Sequence, residues 1–261
     1  MEKYLYEIIE KRKSVRKYKE TETDENIMRE IMEFLPKIEP LYPEIKTEIK
    51  VFKDSESKGG LFAIKAPQYF GIFSESRAGN LENAGYMLQQ LDLFLSLKGI
   101  GSCWLGMAKP KVEIIKENAL DFIIAMAFGH PDENLWRQSK REFKRRGFTE
   151  ISDTKDILDS PTILEILEAA RLAPSATNSQ PWYFEVKGNN IIVYKSKLNT
   201  LKAFVYGKMN QIDMGIAMCH LKLASENQQK NIEFVRESTD SNLMINGYEY
   251  FITGKLTDIE Q

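Results

Sequence analysis

The chain runs through one order of elements twice, and that repetition restricts its architecture more than any other feature. After a short amphipathic helix begun by Tyr4, Leu5, Ile8 and Ile9, the first pass opens with a helix from Asp24 to Leu35, stopped at Pro36. Strands are predicted at Thr47–Phe52 and Tyr69–Phe73, with Lys53–Gly60 between them as an exposed polar loop. A helix from Asn83 to Lys98, apolar around much of its circumference, ends at Gly99, and a strand over Phe122–Phe128 ends at Gly129. The second pass starts at Ser160-Pro161, an N-cap followed by proline at the first helical position. Ile163, Leu164, Ile166, Leu167 and Ala170 form its apolar stripe, and Pro174 ends the helix near Ala173. A strand at Asn190–Tyr194, an apolar helix at Ile212–Ser225 and a short strand at Phe251-Ile252 before Gly254 complete it. Pro36 pairs with Pro174, Gly85 with Gly215 and Gly129 with Gly254, at offsets of 138, 130 and 125. A slowly shrinking offset is what two diverged copies with small deletions leave. The expected fold is α+β, in two tandem halves divided as 1–147 and 148–261, each with an antiparallel-rich sheet flanked by helices.

The halves differ where chemistry is concerned. Half one carries Arg12, Ser14 and Arg16 at alternate positions of a basic run, so an extended backbone aims three donors to one side. The competing reading is a solvated helix end, since cations suit helix C-termini. Half two has Glu150-Ile-Ser-Asp153 at the corresponding place. Half two carries Pro174-Ser175-Ala176-Thr177-Asn178-Ser179-Gln180 between two prolines, closed by Trp182-Tyr183-Phe184. The amides of Asn178 and Gln180, the Ser175 hydroxyl and free backbone N–H groups suit the polar edge of a planar heterocycle. The plainer reading is an ordinary helix exit with a buried tryptophan. Gly99–Gly106 reads as a glycine-rich apolar loop that lets backbone approach a flat ligand, and its partner in half two is Gln228–Asn231. It lacks the G-x-G-x-x-G dinucleotide spacing. Arg137–Gly147, the most basic stretch, reads as a solvated linker without a nucleic-acid reader motif.

Composition narrows the classes further. Hydrophobic residues are 43%, charged residues 28%, and the net charge of −2 gives no pull toward nucleic acid or anionic membrane. Two cysteines, Cys103 and Cys219, make no disulfide framework. The N-terminus lacks the apolar run of a signal peptide, and no window approaches a membrane span, so a cytoplasmic protein is expected. His130 and His220 have no metal-ligand spacing around them, and no metal is expected. Met209, Met214, Met218 and Cys103 read as packing residues.

Arg12-Lys13-Ser14-Val15-Arg16 together with Ala169–Trp182 resembles the FMN-dependent nitroreductase family, and Gly99–Gly106 is similar to that family's turn after its central helix. The resemblance spans most of the chain. It implies a nitroreductase-like fold in which each FMN lies in a groove built by two subunits around a long interface helix. Here the two motifs fall in different repeats, which resembles a fused pseudo-dimer: a monomer acting as its own dimer, with further dimerisation left open. One groove keeps its parts, and the opposite one sets Glu150 and Asp153 against a phosphate, so one FMN per chain is expected. By resemblance Arg12, Lys13 and Ser14 serve the phosphate or the pyrimidine edge, and Arg16 lies near N1 and O2, where a cation favours reduced flavin. Pro174, Ser175, Ala176, Asn178 and Gln180 line the ring edge or ribityl chain, Cys103, Trp104, Leu105 and Gly106 run near N5, and Arg145 and Arg146 reach the phosphate. No catalytic side chain is implied; hydride passes from NAD(P)H through N5 to a nitroaromatic, quinone or similar small acceptor. The alternative is a flavin-binding module without efficient turnover.

Overall fold

A computed structural model describes residues 2–53, 57–58, 64–153, 160–236, 244–245 and 247–259. The chain divides into two compact units, Lys11–Lys140 and Met1–Glu10 with Arg141–Gln261. The expected cut at 147/148 therefore differs at both ends. Helix α1 (Glu2–Ile9) leaves the first half and packs on the long helix of the second, burying Leu5, Ile8 and Ile9.

The unit Lys11–Lys140 holds α2 (Glu25–Phe34), β1 (Thr47–Lys53), β2 (Ser57–Lys58), β3 (Gln68–Ser74), α3 (Asn80–Leu97), β4 (Gly101–Leu105), β5 (Lys109–Pro110), α4 (Val112–Lys116) and β6 (Asp121–Gly129). Its sheet is antiparallel in the order β1-β3-β6-β4, and β2 pairs with β5 as a small separate ribbon. The predicted loop Lys53–Gly60 lies largely outside the described residues. Every residue of β3 is buried, and Phe70 stacks on Phe128 of β6 at 4.2 Å. Helix α3 is buried over almost its whole length, as its all-round apolar pattern predicts. It ends where expected: Gly99 takes φ 80°, and the N–H groups of Gly99 and Ile100 close on the carbonyls of Ser96 and Leu95.

The glycine-rich stretch after α3 is a strand, not a loop. Gly101–Leu105 forms β4 at the edge of the sheet, and the Val15 N–H donates to the Ser102 carbonyl at 2.9 Å. Glycine is required at 101 because a Cβ there would lie 2.8 Å from Val15 Cβ. Gly101→Ala is expected to destabilise the protein by about 1–3 kcal/mol, as overpacking does. Thermal unfolding checks this, and an unchanged midpoint would mean that the Val15 segment yields without cost.

The second unit holds α1 and then α5 (Phe148–Ile151), α6 (Pro161–Arg171), β7 (Trp182–Lys187), β8 (Asn190–Ser196), α7 (Thr200–Asn227), β9 (Lys230–Val235), β10 (Met244–Ile245) and β11 (Tyr248–Asp258). The Ser160 hydroxyl accepts from the Ile163 N–H, and Pro161 opens α6 as its sequence predicts. The sheet path is β7-β8-β11-β9, antiparallel throughout, with β10 sharing the outer edge of β11. This is the same path as β1-β3-β6-β4. Gln229 takes φ 56° after α7, matching Gly99 after α3, and β9 follows it as β4 follows Gly99.

Helix α7 begins twelve residues before the predicted Ile212, and β11 extends well beyond Phe251-Ile252. Gly254 does not end a strand. It lies inside β11, where a Cβ would sit 2.6 Å from Ile232 Cδ1 of β9, so close packing explains the glycine. No helix of the described residues is long and apolar enough to cross a membrane.

Candidate functional site

The residues singled out from sequence gather in two clusters, one in each unit. In the unit Lys11–Lys140, residues 11–18 run extended against the stretch 131–137. Bridges join Arg12 to Trp136 and Tyr18 to Pro131, and the Arg137 N–H donates to the Lys11 carbonyl at 2.8 Å. Buried Val15 fixes this run on β4.

The expected alternation of Arg12, Ser14 and Arg16 does not put three donors on one open side. Arg12 turns inward, 4% exposed, and its Nη1 lies 2.9 Å from Oδ2 of Asp92, a fully buried residue of α3. Its Nη2 reaches the Ser14 Oγ at 3.3 Å, and the Ser102 hydroxyl of β4 donates to the other Asp92 oxygen. Asp92 thus ties the basic segment to the central helix and to the edge strand. Desolvation selects this arrangement, because a buried guanidinium needs a matching carboxylate.

Arg16 remains exposed, and its guanidinium has no partner among the described residues. It opens on a cleft of about 650 Å³ lined by Lys17, Lys19 and Lys65 and also by the acids Glu20, Glu22 and Asp132. The Glu133 carboxylate accepts the N–H groups of Arg16 and Lys17 at 2.6 and 3.1 Å and pairs with Lys13 at 3.5 Å. Burial opposes ionisation of Glu133, yet these contacts hold its carboxyl below the usual range. Burial pushes the Cys103 thiol up, although Arg16, Arg12 and a contact with Ser14 act the other way. Cys103 therefore stays a thiol beside the basic segment, as a packing residue would. Trp104 is half-buried with its Nε1 enclosed and unpartnered, while Leu105 is buried and Gly106 is exposed.

The second cluster surrounds the turn after α6. Thr177, Asn178 and Gln180 all take positive φ, at 52°, 58° and 48°. Non-glycine residues in this region cost roughly 1–3 kcal/mol each and persist only where the surroundings impose them. Here they are imposed from several sides. The Ser175 hydroxyl accepts the Gln180 N–H at 2.9 Å, and the Asn178 N–H donates to the Ser175 carbonyl at 3.0 Å. Arg145 Nη1 donates to Asn178 Oδ1, and Asn178 Nδ2 donates to the Lys144 carbonyl at 2.7 Å. The Arg146 N–H donates to Gln180 Oε1 at 2.8 Å, and its Nη1 reaches the Tyr248 hydroxyl at 3.1 Å.

The stretch Arg137–Gly147 is thus no free linker. Its middle is exposed, but Arg137 holds the Arg12 segment at one end, and Arg145 and Arg146 hold the amide turn at the other. Glu150, expected to face a phosphate, instead caps α5 by accepting the Gly147 N–H at 2.9 Å.

Below the turn lies Asp213 of α7, 3% exposed. Its two oxygens accept the Ala176 N–H at 3.0 and 3.1 Å, and the Ser179 hydroxyl donates at 3.3 Å. Burial pushes its carboxyl up to about 7 against these two hydrogen bonds. Asp92 and Asp213 were not among the residues singled out from sequence. Their signal was one acid within each of the predicted apolar spans Asn83–Lys98 and Ile212–Ser225, at Leu91-Asp92-Leu93 and Ile212-Asp213-Met214.

An α+β arrangement of antiparallel sheets and buried helices carrying these motifs is that of nitroreductase-like structures. The chain belongs to the family described as Putative TM nitroreductase, whose model matches residues 4–225. The fold is similar to that of a putative nitroreductase from Thermotoga maritima, at 24% identity over 97% of this chain and 92% of that one, with a TM-score of 0.65. A nitroreductase family protein from Clostridium difficile 630 matches at 15% identity over 57% of this chain and 97% of its own, TM-score 0.46. An FMN-dependent nitroreductase from Clostridium difficile R20291 matches at 15% over 51% and 94%, TM-score 0.40. No curated protein matches the chain.

Proposed function

We propose that the chain is an FMN-dependent oxidoreductase that takes reducing equivalents from NAD(P)H and delivers them to a nitroaromatic, quinone or similar small acceptor. Membership of a nitroreductase family supports the reaction class. The observation that carries the cofactor is the strained turn at Thr177–Gln180, locked by Arg145, Arg146 and Asp213. Such strain collects where a backbone must be presented to a ligand.

The chemistry of the donors fits FMN. Arg16, unpaired beside a cleft that carries both basic and acidic side chains, is the group there that suits a phosphate or the electron-rich pyrimidine edge of the ring. Ser14 and the enclosed Nε1 of Trp104 offer further hydrogen-bonding groups on the same unit. Arg12 has a different part: matched to Asp92, it fixes the segment that presents Ser14 and Arg16. Ser175, Asn178 and Gln180 shape the turn, and Arg145 and Arg146 bring cations beside it. Bound FMN supplies the two-electron transfer that no side chain of this chain provides. In this reading the two units are diverged copies forming an internal pseudo-dimer, and their unlike motifs serve one FMN per chain. The matched sheet paths support common descent of the units.

Purified protein is expected to be yellow, to contain about one flavin per chain, and to oxidise NAD(P)H with a nitroaromatic present. Arg16→Ala removes a charge-assisted contact and is expected to weaken FMN roughly 10- to 100-fold. Asn178→Ala is expected to weaken FMN although it lies in the other unit. Two flavins per chain, or unchanged FMN affinity in both variants, refutes the shared assignment. Tight FMN without NAD(P)H oxidation would leave a flavin-binding module.

A further inference from the structure

We propose that Asp213 is the positioning residue of the Pro174–Gln180 turn, a latch whose grip on the Ala176 N–H depends on whether its carboxyl carries a proton. The geometry is specific. Both carboxylate oxygens share the Ala176 N–H at 3.0 and 3.1 Å, and Ser179 donates to Oδ2 at 3.3 Å. These contacts flank Thr177 and Asn178, so the latch grips the turn on either side of two of its three left-handed residues. A carboxylate accepts an N–H about twice as strongly as a neutral group does, so protonation loosens the grip without abolishing it.

The other unit provides an internal comparison. Asn83 lies two residues before Gly85 of α3, as Asp213 lies two residues before Gly215 of α7. Asn83 performs the same task with a neutral side chain, its Oδ1 accepting the Tyr42 N–H at 3.0 Å. Holding a backbone N–H from the central helix therefore needs no charge. The ionisable group appears only under the strained amide turn.

Asp213 stands alone electrostatically. The influences on its carboxyl are burial, which raises its pKa to about 7, and the bonds from Ala176 and Ser179, which oppose that rise. Charged groups on the elements packed against α7 are engaged elsewhere. Glu168 pairs with Arg171 on α6, Glu165 accepts from Gln228, Lys230 of β9 pairs with Asp258, and Lys195 of β8 pairs with Glu249. Glu7 of α1 and Glu233 of β9 are not among the influences on Asp213, and Arg145 engages the turn through Asn178. Proton occupancy near neutral pH is thus set by burial against the two bonds from the turn. The link to cofactor rests on the reading that this turn binds flavin; the latch does not.

The test uses the full chain and two measurements across pH 5.5 to 8.5. The first is the Ala176 amide resonance; the second is the FMN dissociation constant. In the wild type the Ala176 amide is expected to titrate with a midpoint near 7, and FMN is expected to bind severalfold more tightly above that midpoint. Asp213→Asn installs the residue type found at position 83, keeps an acceptor, and is expected to abolish both titrations. Ser179→Ala removes a bond that favours the carboxylate, so its midpoint is expected to move up. A titration that persists in Asp213→Asn, or a flat Ala176 resonance in the wild type, overturns the latch. An amide titration with pH-independent FMN affinity keeps the latch and removes the turn from the flavin site.

Discussion

Asp92→Ala is expected to cost about 3–5 kcal/mol of folding stability, the penalty for leaving one member of a buried pair uncompensated. Arg12 is 4% exposed and its partner is fully buried, so water cannot replace the lost carboxylate. The damage extends beyond the pair, because Ser102 of β4 loses its acceptor and the run from Arg12 to Arg16 loses its anchor on α3. Urea unfolding of the wild type, Asp92→Ala, Arg12→Met and the double variant Arg12→Met with Asp92→Leu measures the effect. The double variant is expected to recover most of the stability, since apolar groups of similar volume remove the desolvation penalty altogether. A loss below about 1 kcal/mol in Asp92→Ala would mean that Arg12 finds another partner, and the anchoring role would be withdrawn.

Stability is also expected to fall as pH rises from about 4 to 7, through Asp213. Its folded pKa of about 7 lies above the ordinary aspartate value of 3.8. Across that window the native state holds a proton that the unfolded chain has released, so ν is larger for the native state and the slope of stability against pH is negative. The two pKa values differ by about three units, which corresponds to a cost on the order of 4 kcal/mol, carried in full above pH 7 and absent below pH 4. Asp213→Asn cannot titrate and keeps an acceptor for Ala176. The variant is therefore expected to gain on the wild type progressively between pH 4 and 7 and by a constant amount beyond. Chemical denaturation at pH 4.5, 6 and 8 checks this, and a constant difference at all three values would show that the carboxyl is not raised.

The two effects share a cause, and that cause explains what was legible in the sequence. Burying one acid in an apolar helix costs energy that only a specific partner offsets. Arg12 does so for Asp92, whereas Asp213 meets one N–H and one hydroxyl and is left with a raised pKa. Periodicity marks both helices as buried but cannot say which distant group meets the acid. Helix α6 was legible almost to the residue, because its cap, its first-turn proline and its terminating Pro174 act within a few positions. Strand β4 was misread as a loop because glycine at 101 answers to Val15, far away in sequence, and Gly254 was misread as a strand end because it answers to Ile232. The linker reading of Arg137–Gly147 failed for the same reason: a basic composition looks solvated until Asn178 and Gln180 supply acceptors for Arg145 and Arg146.

By itself the sequence determined the α+β class, the repeated order of elements and the two motifs that distinguish its halves, since all of these rest on local propensity and on spacing along the chain. Only the tertiary structure decided that Arg12 turns inward while Arg16 stays open, that α1 joins the second unit, and that the amide turn is strained and held over Asp213. Those outcomes depend on which groups exclude water from one another, and that is settled by packing between residues remote in sequence.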